Sequence, residues 1–361
     1  MSRRTRQVLL GLVGTVAVGV LVAAQSRVNG ELAPRFAPST GPDAWWVWRG
    51  PADDAVAAGI DAAVLSFAVG WLIVLVGTLV QARGRHGMAE VVHALRDGSL
   101  RWWMLLGGLG GATFIAGQGI AVPVLGVSVF VVATVAGVTV GGLLVDRFGL
   151  APGGARPYTA RRVIGCVLAV GGVAFSVSGS LDGGIASGAS VLLFSVVLLA
   201  CLPMGALTAA QQAVNGRVAQ RSRTPWVAGL GNFTAGLAAL LLARLLLIGT
   251  VAPGPLPDQW WLWLSGPIGL SFILLGAVLV RTLGVLLLSL GNTGGQLVGS
   301  IAIDELFPTA AGRPGLVELV AAVVIFVAVA LAASRPRRRP APPGPAGPPT
   351  VRREPVGAGR P

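Results

Sequence analysis

Two pairs of carboxamide side chains stand within long apolar stretches of the sequence. Gln25 and Asn29 are four residues apart, as are Gln211 and Asn215, so each pair lies on one face of a helix. A carboxamide in hydrocarbon is costly without a hydrogen-bonding partner. We therefore predict that these faces hydrogen-bond with neighbouring helices, line a hydrated cavity that binds a solute, or do both.

Four further amides in apolar stretches are secondary candidates for the same cavity: Gln118, Asn232, Asn292 and Gln296. The last two lie beside a ladder of small residues with a four-residue period, and an earlier stretch carries a similar ladder. The two ladders comprise Gly291, Gly295 and Gly299, and Ala133, Gly137 and Gly141. Small residues let helix backbones approach closely in lipid, so the ladders are predicted to mark the centre of a helical bundle.

Charged residues inside the apolar stretches are few. Arg244 is predicted to snorkel to the membrane surface, with contact to an anionic group of a solute as the alternative, and Arg27 poses the same choice. The acids near apolar stretches, among them Asp61, Asp146 and Asp304, fall at predicted helix ends. We therefore expect no proton relay through a deeply buried carboxylate.

The sequence shows no pattern typical of an active site. It has no phosphate-binding glycine loop, no Ser/His/Asp set and no zinc-ligand spacing. His86 and His93 fall in a polar connection and are predicted to be ordinary loop residues, while Cys166 and Cys201 lie singly in apolar runs. We expect no catalytic residues, no metal and no cofactor.

Composition places these residues in a membrane protein. The 361 residues are 54% hydrophobic and 11% charged, and the net charge of +13 comes from Arg, with a mean hydropathy of +0.77. A soluble domain carries about 25% charged residues. These values exclude a soluble enzyme, a secreted disulfide scaffold and a disordered chain.

Ten stretches are long and apolar enough to cross a bilayer, which takes about 20 residues. They are roughly 8–33, 56–80, 102–122, 124–146, 161–181, 189–216, 226–250, 260–280, 283–303 and 314–334. The third and fourth meet at Pro123 and the eighth and ninth meet around Arg281, so each pair is predicted to form a tight hairpin. No cleavage site follows the first stretch, which we interpret as a retained helix.

The distribution of arginine sets the predicted orientation. With the N-terminus inside, 22 of the 27 Arg residues fall on the cytoplasmic side and four fall outside. We therefore expect a protein of the plasma (inner) membrane with both termini in the cytoplasm.

The sequence repeats internally. Residues 101–146 align with 259–304 without a gap at an offset of 158, and the Gln-Asn-Gly motif that begins at Gln25 recurs at Gln211, at an offset of 186. Each copy holds five spans, and because five is odd the second copy must cross the membrane upside down. Secondary transporters commonly use this arrangement to open one central site to either side.

The predicted fold is all-α integral membrane, with ten transmembrane helices in two inverted five-helix repeats. The first repeat takes residues 1–182, including an external loop at 34–55, and the second takes 183–334. Residues 335–361 are predicted to be a disordered, basic cytoplasmic tail rich in Pro, Gly and Arg. The tail either binds anionic lipid headgroups or is simply solvated, and the loop tryptophans Trp45, Trp46 and Trp48 are predicted to anchor at the interface.

Specific motifs add a resemblance to a known family. Arg101-Trp102-Trp103, the Gly-rich helix that follows, and the run from Gly141 to Asp146 resemble the YdcZ-like branch of the drug/metabolite transporter superfamily in its fused, double-length form. The resemblance implies a bundle around a central cavity, with the last helix of each half peripheral, and transport of a small solute. The second half departs from the pattern, since Gln259 precedes its Trp pair.

We therefore expect a secondary transporter or facilitator that moves a small organic solute across the plasma membrane by alternating access, with export favoured by family analogy. The alternative is a non-transporting membrane scaffold or assembly partner, which would be supported if the four motif amides were buried in tight helix contacts with no cavity between the halves. The expected partners are the solute and the lipid bilayer, with a homodimer left open and no nucleic acid.

Overall fold

A computed structural model describes residues 3–36, 51–152, 154–155, 157–182, 191–248, 255–309 and 312–333. The predicted tryptophan anchor of the 34–55 loop and the predicted basic tail lie outside these residues. The described part is helical throughout except for short connections.

Nine α-helices account for most of the described chain, and three 3-10 helices join them. The α-helices are α1 (Arg3–Leu32), α2 (Pro51–Val80), α3 (Ala82–Arg96), α4 (Gly108–Arg147), α5 (Ala160–Asp182), α6 (Val191–Ser222), α7 (Pro225–Ile248), α8 (Ser265–Leu306) and α9 (Leu316–Ala333). The 3-10 helices are Ala33–Phe36, Trp102–Gly107 and Trp260–Leu264.

The helix α4 covers the third and fourth predicted spans and reverses direction within its length. Gly126 has φ 78° and ψ 166°, in the region that favours glycine. The rings of Phe114 and Phe130 lie 5.5 Å apart, although sixteen residues of straight helix would separate them by about 24 Å. The predicted hairpin is therefore present, with its turn at Gly126 rather than at Pro123.

The helix α8 covers the eighth and ninth predicted spans and also folds back. A Cβ atom added to Gly269 would lie 2.6 Å from Nε2 of Gln25, and one added to Gly299 would lie 3.0 Å from Cα of Val20. Gly269 and Gly299 would be about 45 Å apart in a straight helix, yet both contact the same short part of α1. The elements α4 and α8 therefore each contain two predicted spans.

The polar connection that carries His86 and His93, which we predicted to be a loop, contains the helix α3. Its sequence places Gly84, Gly87, Val91 and Ala94 on one buried face, at the helical spacing of an amphipathic segment. Val91 and Ala94 belong to a buried cluster with Val214 and Val218 of α6 and Val227 of α7. His86 and His93 lie on the exposed part of α3.

The bundle is built from helix pairs that join distant parts of the chain. The contacting pairs are α1 with α8, α6 with α4, α2 with α7 and α5 with α9. The second segment of α4 forms the core, where Val127, Phe130 and Val131 are almost fully buried. In α5 and α9, Val167 and Val323 are exposed, which agrees with a peripheral position for this pair.

Among the described residues, six helices are long and apolar enough to cross a membrane: α1, α2, α4, α6, α7 and α9. Large apolar side chains on these helices are exposed, among them Leu72, Val196 and Leu245, as expected of helices that contact lipid. The chain is therefore a multi-pass helical membrane protein.

Candidate functional site

Asn29 is the centre of a buried hydrogen-bonded cluster. Its Nδ2 donates to Oε1 of Gln118 at 2.6 Å, and its Oδ1 accepts from the hydroxyls of Ser66 at 2.9 Å and Ser265 at 2.6 Å. Gln118 donates onward to Ser26 at 2.8 Å, and Gln25 donates to the carbonyl of Ser265 at 2.8 Å. These six residues, called the Asn29 cluster below, are Gln25, Ser26, Asn29, Ser66, Gln118 and Ser265.

Four helices bring the Asn29 cluster together, and they seal it. Its members come from α1, α2, α4 and α8, and no member is more than 5% exposed. Close helix approach at Gly266 makes this feasible, because a Cβ there would lie 2.5 Å from the carbonyl oxygen of Ser66. The spacing of Gln25 and Asn29 correctly predicted that both amides face into the bundle.

A second cluster forms around the other amide pair. Gln211 and Asn215 both donate to Oδ1 of Asn232, at 2.8 Å and 2.9 Å. Asn232 is buried, whereas Gln211 and Asn215 are only partly buried. These three residues are called the Asn215 cluster below.

The two clusters lie at opposite ends of the first segment of α4. A Cβ added to Gly107, just before α4, would lie 2.7 Å from Oδ1 of Asn215, whereas Gln118 binds Asn29. Eleven residues of helix separate these two points by about 16 Å. We call the two ends of the bundle the Asn29 end and the Asn215 end.

Close helix contacts recur at the two offsets found in the sequence. Four contacts of one kind each have a match elsewhere in the bundle. Gly137 with Leu202 matches Gly295 with Val16; Gly141 with Ala206 matches Gly299 with Val20; Gly205 with Thr134 matches Gly19 with Asn292; and Gly111 with Gln211 matches Gly269 with Gln25. In each match one partner is shifted by 158 residues and the other by 186. The ladder glycines thus lie where a helix of one half meets a helix of the other.

The helices α2 and α7 make a reciprocal contact of the same kind. The rings of Phe67 and Phe233 lie 5.2 Å apart. A Cβ at Gly70 would lie 2.3 Å from Cε1 of Phe233, and a Cβ at Gly236 would lie 2.3 Å from Cε1 of Phe67. The offset here is 166 residues, and it relates Ser66 of the Asn29 cluster to Asn232 of the Asn215 cluster.

The other two candidate amides, Asn292 and Gln296, join neither cluster. Both lie on α8 where its backbone meets Gly19 of α1. Oδ1 of Asn292 is buried and has no hydrogen-bond partner among the described residues. Their position along the α1–α8 contact agrees with the predicted central ladder.

Arg244 does not snorkel. Its Nε lies 2.7 Å from Oδ1 of Asp61, and the two side chains are 15% and 7% exposed. Arg27 pairs with Glu31 at 2.5 Å, one turn further along α1. Both arginines therefore have carboxylate partners, which the sequence did not indicate.

Asp304, which we predicted at a helix end, is a buried carboxylate. It is 3% exposed, and its two oxygens accept from the backbone N–H groups of Val127 at 3.0 Å and Ser128 at 2.6 Å. Asp304 thus caps the helical segment that starts after Gly126, where a negative charge is favoured. The aligned residue of the first half, Asp146, instead forms an ion pair with Arg162.

A cleft of about 360 Å³ opens at the Asn29 end. Polar and charged side chains contribute part of its wall, and the bend of α4 contributes the rest. Its lining residues are Arg27, Gly30, Glu31, Pro34, Arg35, Val122, Pro123 and Thr309. The cleft reaches the residues directly beside Asn29 on α1.

Three hydroxyls of the Asn29 cluster were missed by the sequence analysis: Ser26, Ser66 and Ser265. Serine is common and hydrogen-bonds to its own helix, as Ser26 does to Val22 at 3.0 Å. Ser66 could have been found from the repeat, because at an offset of 166 residues Ser66 aligns with Asn232 and the following Phe67 aligns with Phe233. Within the described residues no group of three or more His, Cys, Asp or Glu side chains could hold a metal ion.

Comparison with known proteins identifies the family. Residues 53–175 and 196–331 each match the family described as "Putative inner membrane exporter, YdcZ". A search among curated proteins found no match. One solved structure, described as "Crystal structure of protein", is 18% identical and covers 92% of this chain and 97% of its own, with a TM-score of 0.47.

The two matched regions together take up most of the chain, one in each half, and each contains a segment of the aligned repeat. A family of inner membrane exporters fits the apolar helices described above, so the chain is a multi-pass protein of the inner membrane and a transporter rather than an enzyme. The chain belongs to the YdcZ-like family of the drug/metabolite transporter superfamily, as a double-length member.

Proposed function

We propose that this protein is a secondary transporter that exports a small organic solute by alternating access. Its halves, residues 1–182 and 183–334, form ten membrane spans in an inverted repeat. The polar path between them runs from the Asn29 cluster to the Asn215 cluster. In the open states, the amides Gln25, Asn29, Gln118, Gln211, Asn215 and Asn232 contact the solute, and Asn292 and Gln296 lie beside this path.

The matched glycine contacts are the observation that carries the proposal. If one sequence is used twice in opposite orientation, then each contact made at one end has a partner of the same type at the other end. Two nearly equivalent arrangements of the halves then differ little in free energy, which is the condition for exchange between them. The four matches at constant offsets support this symmetry.

The unequal burial of the two clusters supports exchange as well. The Asn29 cluster is sealed, whereas Gln211 and Asn215 are partly exposed. Because the clusters are built from the same motif, their unequal exposure is what one of two alternating states would present. In the opposite state, Asn29 would be accessible and Asn215 would be sealed.

The arginine distribution gives the direction of these ends. With both termini in the cytoplasm, the Asn29 end faces outward and the Asn215 end faces the cytoplasm. The present arrangement is then closed to the outside, and the half-exposed Asn215 cluster is where a cytoplasmic solute would first bind. This agrees with export.

A scaffold without transport is the second candidate, and one observation favours it. The amides of the Asn29 cluster are buried in helix–helix hydrogen bonds, as expected of a purely structural network. The two functions are distinguished by solute flux, because a scaffold needs the network only for packing.

The test is transport by purified protein in liposomes. Vesicles are loaded in turn with labelled metabolites and drug-like cations, anions and neutral solutes, with and without a proton gradient. We expect at least one solute to leave the vesicles at a saturable rate. A Gly137→Leu variant, in which the new side chain would meet the carbonyl oxygen of Leu202, should abolish this flux.

Gly142→Leu is the matched control, because nothing lies within 4 Å of a Cβ at Gly142, and it should retain flux. Absence of flux for every solute, under both conditions and with correctly folded protein, would refute the transport proposal. That result would favour the scaffold.

A further inference from the structure

Two buried carboxylates join the halves of the protein at the Asn29 end. Asp304 of the second half accepts hydrogen bonds from the backbone N–H groups of Val127 and Ser128 of the first half. Asp61 of the first half is paired with Arg244 of the second half at 2.7 Å. Asp61 lies beside the residues that close over the Asn29 cluster, since its neighbour Ala62 packs in one buried cluster with Leu32 at the end of α1.

The Asn215 end is joined by different chemistry. The residues that align with Asp61 and Arg244 are Val227 and Thr78, which have no charge. Asp146, which aligns with Asp304, is paired with Arg162 inside its own half.

At the Asn215 end, Arg217 makes polar contacts between the halves. Its Nε donates to the carbonyl of Leu150 at 2.6 Å, and its terminal nitrogen donates to the carbonyls of Gly149 and Ala151. Arg217 is partly exposed. A more exposed ion pair, between Arg221 and Asp97 at 3.4 Å, lies near it.

Burial makes the two sets of contacts unequal in strength. Hydrogen bonds and ion pairs of charged groups strengthen when water is excluded, and separating the partners leaves each charge uncompensated in a low-dielectric medium. Asp304 and Asp61 are 3% and 7% exposed, so opening the Asn29 end disrupts two such contacts. Opening the Asn215 end releases Arg217 into water, which solvates it.

We propose that Asp304 and the Asp61–Arg244 pair form a lock on the Asn29 end, and that Arg217 forms a separate, weaker lock on the Asn215 end. The first lock biases the resting protein towards the arrangement that seals Asn29. This inference rests on the proposed alternation between the two ends, and it identifies the residues that set the balance between them.

The test measures the accessibility of one cysteine at each end. Cys166 and Cys201 are replaced by Ala, and then either Ser66→Cys or Asn215→Cys is introduced. The rate of modification by N-ethylmaleimide is measured in nanodiscs. In the parent protein we expect slow modification at position 66 and faster modification at position 215.

Removal of the first lock should raise the rate of modification at position 66. Asp304→Asn, and the double variant Asp61→Asn/Arg244→Gln, are each expected to raise the rate at position 66 by about tenfold or more, from the usual strength of charged hydrogen bonds. The double variant avoids leaving a buried guanidinium without its carboxylate. Asp146→Asn, the matched control in the other half, should leave the rate at position 66 unchanged, and Arg217→Gln should raise only the rate at position 215.

An unchanged rate at position 66 in both Asp304→Asn and the double variant would overturn the lock. An equal increase in Asp146→Asn or Arg217→Gln would also overturn it, because it would indicate general loosening. Circular dichroism and gel filtration verify that each variant is folded. These results are independent of solute flux, so failure of the lock is distinguishable from failure of the transport proposal.

Discussion

Replacement of Asn29 by Ala should destabilise the protein much more than the same change at Asn215. Asn29 makes three side-chain hydrogen bonds to three different helices, whereas Asn215 makes one among the described residues. Interhelical hydrogen bonds in membrane proteins contribute about 0.6 kcal/mol each on average. The expected losses of unfolding free energy are therefore about 2 kcal/mol for Asn29→Ala and about 0.6 kcal/mol for Asn215→Ala.

Reversible unfolding in mixed micelles measures both values. The detergent composition is titrated with dodecyl sulfate, and helix content is monitored by circular dichroism. The two variants delete the same atoms from aligned positions, so each serves as the control for the other. An Asn215→Ala variant that lost as much stability as Asn29→Ala would refute the assignment of the stronger network to the Asn29 end.

Two further stability predictions follow from packing and are measured by the same titration. Gly137→Ala should lower the unfolding free energy by about 1–3 kcal/mol, because a Cβ there would lie 2.2 Å from the carbonyl oxygen of Leu202, while Gly142→Ala should be neutral or slightly stabilising. Phe67→Ala should lower the unfolding free energy by roughly 3 kcal/mol through loss of its contact with Phe233, whereas Phe148→Ala, at a position 72% exposed, should have little effect. Equal losses in a variant and its control would contradict these assignments.

The sequence predicted which residues share a helix face and which helices lie at the centre. The four-residue spacing of Gln25 and Asn29 was sufficient to predict a shared helix face, because side chains four positions apart in a helix point the same way. The glycine ladders were informative for the same reason. Small residues that recur every four positions predict that two helices pack closely.

The exact turn of the α4 hairpin was not predictable in the same way. Glycine makes up 53 of the residues, so a single glycine in an apolar run carries little information about which one adopts a positive φ. Pro123 was the more conspicuous residue, but it is tolerated within the helix three residues before the turn at Gly126. The helix α3 was missed because its apolar face is short and includes two glycines.

The ionic contacts could not be predicted from the sequence, because they depend on how the two halves pack against each other. Asp61 and Arg244 are 183 residues apart, and neither has a charged counterpart at the aligned position of the other half. Asp304 was predicted at a helix end, which is correct, but its burial arises from α8 packing against the bend of α4. Because the halves have diverged at these positions, the repeat could not be used to predict where the charged residues pair.

The central claim is that the Asn29 end and the Asn215 end face opposite sides of the membrane. Pro34→Cys and Gln220→Cys test it directly, since these positions are exposed, lie 186 residues apart and follow the two copies of the Gln-Asn-Gly motif. Each is labelled with a membrane-impermeant maleimide in intact cells and in inverted vesicles, on a background without Cys166 and Cys201. We predict that Pro34→Cys reacts only from outside and Gln220→Cys only from the cytoplasmic side, and reaction of both from the same side would contradict the inverted repeat.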